Sequence, residues 1–177
     1  GSEKGLLYGI YSLLEFFGFR KYSSDDEVLP PVTASFTLPE NEIKIPVIKY
    51  RTTSYYDARD EEYAAWHKLS SRDTWGLFVH TFEVLVPAEK YGKTHPEYFS
   101  LIDGERNPVT QLCLSNEAMF QTLVTDLRKR IEANPKAKYW SVSQNDNDKY
   151  CQCGPCTVLN KKYGNLPSGS MIWFVNK

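Results

Sequence analysis

The chemistry that is most concentrated in this chain lies in its four cysteines. Cys151, Cys153 and Cys156 form a C-x-C-x2-C run, and Cys113 stands well upstream. Four thiolates suit a structural zinc ion, which takes tetrahedral sulfur ligands. C-x-C is not the usual knuckle spacing, however, and Cys113 is single where a second pair would be expected. Disulfides are the alternative in an exported protein, and reduced thiols that simply pack are the third reading. A redox-active C-x2-C would open a helix, whereas this one follows a polar loop.

That loop, Gln144-Asn145-Asp146-Asn147-Asp148, is an unbroken run of amide and carboxylate side chains. Such groups both donate and accept, which suits a polyhydroxylated ligand, although Asn and Asp also serve plain turns. Of the three histidines, His80 falls at the carboxyl end of an apolar strand pattern, on the same rim as the polar loop. His67 and His95 read as structural. Arg51 sits in a β-rich run beside Tyr50 and upstream of Tyr55-Tyr56-Asp57, so it must pair with a carboxylate or reach a pocket. No serine–histidine–aspartate order, Walker loop or G-x-G-x-x-G occurs, which removes the common nucleotide-binding readings.

The elements that must position these groups can be read from periodicity. Ser2 caps a helix over about 3–17, with Leu6, Leu7, Ile10, Leu13, Leu14 and Phe17 at helical spacing and Gly18 as its stop. Short strands follow over 19–28 and 35–38, and Pro39 and Pro46 bound a connector. Residues 47–56 are predicted as a strand, 61–69 as a short helix and 75–82 as a second, buried strand. A long excursion, 83–110, includes the stretch Tyr98–Ile102 and a turn at Asp103-Gly104, with Gln111–Leu114 after it. Asn116 caps the clearest helix, striped by Phe120, Leu123, Val124, Leu127 and Ile131 and ended by Asn134-Pro135. Residues 138–143 are predicted as a third strand running into the polar loop, and 168–177 begin another helix. From residue 47 onward this alternation implies parallel βαβ units. Three parallel strands do not close a fold, so the chain reads as a segment of a larger protein.

Charge narrows the function class. Lys and Arg total 21 against 22 Asp and Glu, leaving a net charge of −1. That balance argues against a nucleic-acid partner, which needs a basic surface. No apolar run is long enough for a membrane span, and residues 1–18 lack the layout of a signal peptide. The 14% aromatic content either fills a wide core or presents rings to a ligand.

The run Gly5-Leu-Leu-Tyr-Gly-Ile-Tyr-Ser-Leu-Leu-Glu15 resembles the closing helix of the small α+β domain that precedes the barrel in glycoside hydrolase families 20 and 67. Trp75-Gly-Leu-Phe-Val-His80-Thr-Phe, His95-Pro-Glu-Tyr-Phe99, Gln111-Leu-Cys-Leu-Ser-Asn116, Ser141-Val-Ser-Gln-Asn-Asp-Asn147 and Cys151-Gln-Cys-Gly-Pro-Cys156 resemble a narrower group. That group is the domain-of-unknown-function 4838 family of large secreted bacterial proteins. The resemblance implies an α/β chain: residues 1–45 would end a small α+β domain, and 46–177 would supply the first three βα units of a (β/α)8 TIM-like barrel.

It further implies a periplasmic or cell-surface glycoside hydrolase-like protein with an oligosaccharide at the carboxyl rim of its barrel, serving polysaccharide degradation. Arg51 falls where family 20 enzymes carry a sugar-binding first-strand arginine. His80, Gln144, Asn145, Asp146 and Asp148 would line the same rim, with Tyr55 or Trp75 stacking on a sugar ring. Asp146 and Asp148 are too close in sequence to flank one glycosidic bond. The catalytic carboxylates are therefore expected on later strands, outside this chain. The alternatives are a non-catalytic carbohydrate-binding protein on the same barrel and a zinc-stabilised interaction module.

Overall fold

Local signals at both ends of the first helix fix its limits. Helix α1 (Glu3–Phe16) starts where the Ser2 hydroxyl accepts the Gly5 N–H at 3.1 Å. It stops where Gly18 enters the left-handed region at φ +96°. There the Gly18 and Phe19 amides cover the free carbonyls of Glu15 and Leu14. The computed structural model describes residues 2–31, 37, 43–70 and 74–177, which fall into two units, Gly1–Ser71 and Arg72–Lys177. The strand expected over 35–38 lies outside the described residues save for residue 37, as do residues 39–42 of the connector.

In the first unit, strands β1 (Arg20–Lys21) and β2 (Glu27–Val28) pair antiparallel. A 3-10 turn (Tyr56–Arg59) leads into helix α2 (Glu61–Trp66), capped by Asp60, whose Oδ1 accepts from the Tyr63 N–H at 2.7 Å. Helix α2 meets α1 through the Tyr11 and Trp66 rings, 5.1 Å apart. The Lys68–Glu15 ion pair at 3.1 Å holds the segment after α2 to the same helix. No residue of α1 is buried, and Leu6 is 71% exposed.

Residues 47–56 correct the sequence reading, since they form no strand. Their β-branched and aromatic side chains favour a pleated surface, but propensity without a partner edge makes no strand. The segment is held instead by Arg51: its N–H donates to the Ser70 hydroxyl at 3.0 Å, and its carbonyl accepts from the Ser70 N–H at 2.7 Å.

The second unit holds the one parallel pair among the described residues. Strand β3 (Trp75–Leu77) lies beside β6 (Tyr139–Trp140), with Trp75 opposite Tyr139 and Leu77 opposite Trp140. Gly76 is bare because the Trp140 ring occupies its side-chain space; a Cβ there would sit 2.3 Å from that ring. Beyond the ladder the two chains stay joined. Phe82 donates its N–H to the Ser143 carbonyl at 3.1 Å, and Ser143 donates its own to the Thr81 hydroxyl at 2.9 Å.

The crossover between these strands carries most of the unit. Short helices α3 (Phe82–Leu85) and α4 (Ala88–Tyr91) precede the hairpin of β4 (Phe99–Ile102) and β5 (Glu105–Leu112). The expected turn is there: Asp103 and Gly104 both take positive φ, as a twisted two-residue hairpin requires. Register then jumps from Ser100–Asn107 to Phe99–Leu112, so residues 108–111 leave the ladder. Pro108 has no N–H to give it. Helix α5 (Glu117–Ala133) follows, capped as expected by Asn116, whose Oδ1 accepts from Met119 at 2.9 Å.

Helices α6 (Gly154–Lys162) and α7 (Pro167–Val175) close the unit. The core is Phe82, Leu85, Val86, Tyr98, Phe99, Leu112, Met119, Leu123 and Phe174. Phe174 meets Phe82 and Phe120 edge-on at 5.8 and 5.4 Å. The chain is thus mixed α/β, and its described strands form three two-stranded sheets with no closed barrel. No described helix is long and apolar enough to cross a membrane.

Candidate metal centre and the polar segment beside it

Three stretches of chain converge on one point in the second unit. Strand β5 ends at Leu112, and Cys113 follows, with its N–H on the Tyr98 carbonyl at 2.8 Å. Residues 151–152 dock on the edge of β4: Gln152 donates to the Leu101 carbonyl at 2.8 Å, and the Leu101 N–H points at Cys151 Sγ at 3.3 Å. Cys153 caps α6, with Pro155 in the first turn, where a missing N–H costs nothing, and Cys156 just after it. The C-x2-C therefore does open a helix, contrary to the sequence reading. Gly154-Pro155 was the signal available for it.

All four thiols are buried and free, and their sulfur atoms lie within 4.8 Å of one another. Cys113 Sγ is 3.7 Å from Cys153 Sγ and 3.8 Å from Cys156 Sγ. A disulfide needs about 2.05 Å. Four sulfurs at about 2.3 Å from a tetrahedral zinc ion would be about 3.8 Å apart, so the spacing fits the metal. Soft thiolates at these edges select zinc or iron rather than hard cations.

The electrostatics show what such a cluster lacks. Hydrogen bonds from the Cys151 and Cys156 thiols, then Ser115 and Arg106, hold Cys113 far below the ordinary thiol range against the cost of burial. Cys151 is pushed up to about 11, chiefly because its proton is given to Cys113, and Cys156 is driven up for the same reason. One thiolate is thus stabilised at the expense of its neighbours. A divalent cation removes that conflict, because metal binding displaces thiol protons.

The polar segment lies next to this cluster and after β6. Gln111, on the looped-out part of β5, is its anchor. Its Nε2 donates to the carbonyls of Asn145 and Asn147 at 2.7 and 2.8 Å, and its Oε1 accepts the Asn145 N–H at 3.1 Å. The Asn145 side chain is committed at both ends, accepting from the Glu83 N–H at 3.1 Å and donating to the Thr110 carbonyl at 2.7 Å. Asn147 Oδ1 accepts from the Lys149 N–H at 3.1 Å. Gln144, Asp146 and Asp148 are exposed. His80, in the left-handed region at φ +54°, sets its Nδ1 3.3 Å from the Gln144 carbonyl. His80 and the polar segment therefore meet beyond the carboxyl ends of β3 and β6.

The family described as domain of unknown function (DUF4838) matches residues 21–177. The chain belongs to the DUF4838 family. No curated protein and no solved structure matches it.

The remaining candidate residues of this DUF4838 chain are Arg51 and Tyr55, in the first unit, and Trp75, in the second. Arg51, in the first unit, spends Nε and Nη2 on the Lys68 carbonyl at 3.0 and 2.7 Å and Nη1 on the Ile48 carbonyl at 2.8 Å. Tyr55 is half exposed in that unit, with its ring 5.9 Å from Tyr63. Its hydroxyl is pushed above the usual phenol range, chiefly by the charge of Asp57. Trp75 begins β3, at the opposite end of the strand from His80, and packs on Phe78 and Tyr139. Sequence reasoning missed that Gln111 anchors the polar segment and that Ser115 lies against the cysteine cluster. Neither carries a spacing signal, because only the folded hairpin brings them to their partners.

Proposed function

We propose that this domain is a zinc-stabilised α/β module in which four thiolates, Cys113, Cys151, Cys153 and Cys156, hold one structural ion. The reading is carried by the spacing of the sulfur atoms, 3.7 and 3.8 Å from Cys113, in a buried cluster. The ion joins the end of β5 to the segment leading into α6, and so fixes the far end of the polar stretch 144–148. Metal content of the purified chain tests it. One zinc per chain, lost on mutation of Cys113 and Cys156 to Ser, is the expected result; no stoichiometric metal refutes it.

The exposed groups of that stretch, Gln144, Asp146 and Asp148, with His80 beside them, bind a carbohydrate in this reading. What favours it is their place beyond the carboxyl ends of a parallel strand pair, where α/β sheets take their ligands. β3 and β6 are then neighbouring strands of a TIM-like barrel in a secreted glycoside hydrolase-like protein. Its hydrolytic carboxylates would come from later strands. Glycan screening with Asp146→Ala as control tests this: binding lost in the variant supports it, and binding unchanged refutes the assignment. Glycan cleavage would separate a hydrolase from a binding protein.

A further inference from the structure

A zinc ion held by four thiolates leaves a net charge of −2 in a buried place, and burying charge without compensation is costly. The fold supplies compensation from three directions. The Leu101 N–H points at Cys151 Sγ, 3.3 Å away. The Ser115 hydroxyl lies 3.1 Å from Cys156 Sγ, 3.5 Å from Cys113 Sγ and 3.6 Å from Cys153 Sγ. The third group carries a full charge. Arg106, on β5, sets Nη1 3.8 Å from Cys151 Sγ while the same nitrogen donates to the Phe99 carbonyl at 2.7 Å. That carbonyl fixes the guanidinium, so its orientation toward the sulfurs is built in before any ion arrives.

We infer that Arg106 is the counter-cation of the metal centre, a positioning residue whose charge makes four-thiolate coordination favourable and tightens metal binding. The inference rests on the four-thiolate reading above and adds a residue that touches no metal itself. Hydrogen-bonded outer partners of this kind change metal affinity while leaving the ligand set unaltered. The other members of the arrangement are neutral, so removal of Arg106 should weaken binding without changing the coordination.

Cobalt(II) and zinc are the probes, used on the whole chain. Wild-type protein loaded with cobalt should show the thiolate charge-transfer band and the visible bands of a tetrahedral site. Their absence overturns the four-thiolate reading itself, and Arg106 with it. Arg106→Gln should keep that spectrum while its zinc affinity, read by competition with a chromophoric chelator, falls about tenfold to a hundredfold. Wild-type affinity in Arg106→Gln, with the spectrum intact, overturns the role of Arg106 alone. Arg106→Lys keeps the charge but gives up the guanidinium that reaches both the Phe99 carbonyl and Cys151, so its affinity should fall less than that of Arg106→Gln. A lysine variant as weak as the glutamine variant shows that charge is not the cause. Should the glutamine variant fail to fold, the lysine variant decides: a zinc affinity less than about tenfold below wild type supports the inference, and a loss of about tenfold or more refutes it.

Discussion

Gln111 offers the sharpest test of how the polar segment is held. It is 6% exposed and joins β5 to the backbone at Asn145 and Asn147 by bonds of 2.7, 2.8 and 3.1 Å. Each such bond contributes about 1 kcal/mol net, and each buried group left unpaired costs about 1–3 kcal/mol. Gln111→Ala should therefore destabilise the protein by about 2–4 kcal/mol. Gln111→Glu is more revealing, because it keeps the shape and reverses the chemistry. A carboxylate there faces two carbonyl oxygens with no proton to give, whereas a protonated carboxyl can still donate one. The folded state thus raises the carboxyl pKa above its unfolded value of about 4.3.

The sign follows from linkage. With a raised folded-state value, the folded variant holds its proton when the unfolded chain has already lost it. Relative to wild type, the variant is most stable below about pH 4.3 and loses stability as pH rises toward the folded-state value. The loss is about 1.4 kcal/mol for every pH unit that separates the folded and unfolded values. Urea unfolding of both proteins at about pH 4.5 and about pH 8, which bracket that rise, reads the difference directly. A penalty for Gln111→Glu equal at both pH values would refute the reasoning. So would an alanine variant within about 0.5 kcal/mol of wild type, the range of an ordinary surface change.

Further expectations concern the core, the bare glycine, the metal and the arginine clamp. Phe174→Ala, at a position only 2% exposed between Phe82 and Phe120, should cost about 3–5 kcal/mol in urea unfolding. Gly76→Ala should disrupt the β3–β6 pair, because the new Cβ would lie 2.3 Å from the Trp140 ring; Gly76→Ala combined with Trp140→Leu should recover part of the loss in thermal melts. Zinc should be retained at neutral pH and released as acid protonates the thiolates, a transition that chelator competition across pH can follow. Arg51→Lys keeps the charge but loses the paired bonds to the Lys68 carbonyl, so faster hydrogen exchange at Ser70 is the expected readout.

How much of this was legible in the sequence depends on how local each signal was. Helices α1 and α5 were readable because Ser2, Gly18 and Asn116 act within a turn of the backbone they cap. The β4–β5 turn was readable for the same reason at Asp103-Gly104. Residues 47–56 misled, since their composition speaks for a strand while a strand needs a second edge. The four cysteines, Cys113 included, were visible as one candidate metal set, but the hairpin that folds back and the segment that docks on β4 to unite them were not. Gln111 was hidden most deeply. Its role depends on residues 108–111 leaving the ladder, and only Pro108 hints at that.

The segment 144–148 divides its labour by odd and even position. Asn145 and Asn147 turn inward and are spoken for by β5 and α3, whereas Gln144, Asp146 and Asp148 between them face solvent. Among the described residues no hydrogen bond of the framework runs through the even side chains, so substitution there leaves the anchoring of the strip intact. The strip can thus change its exposed chemistry one residue at a time, while the odd positions keep it in place.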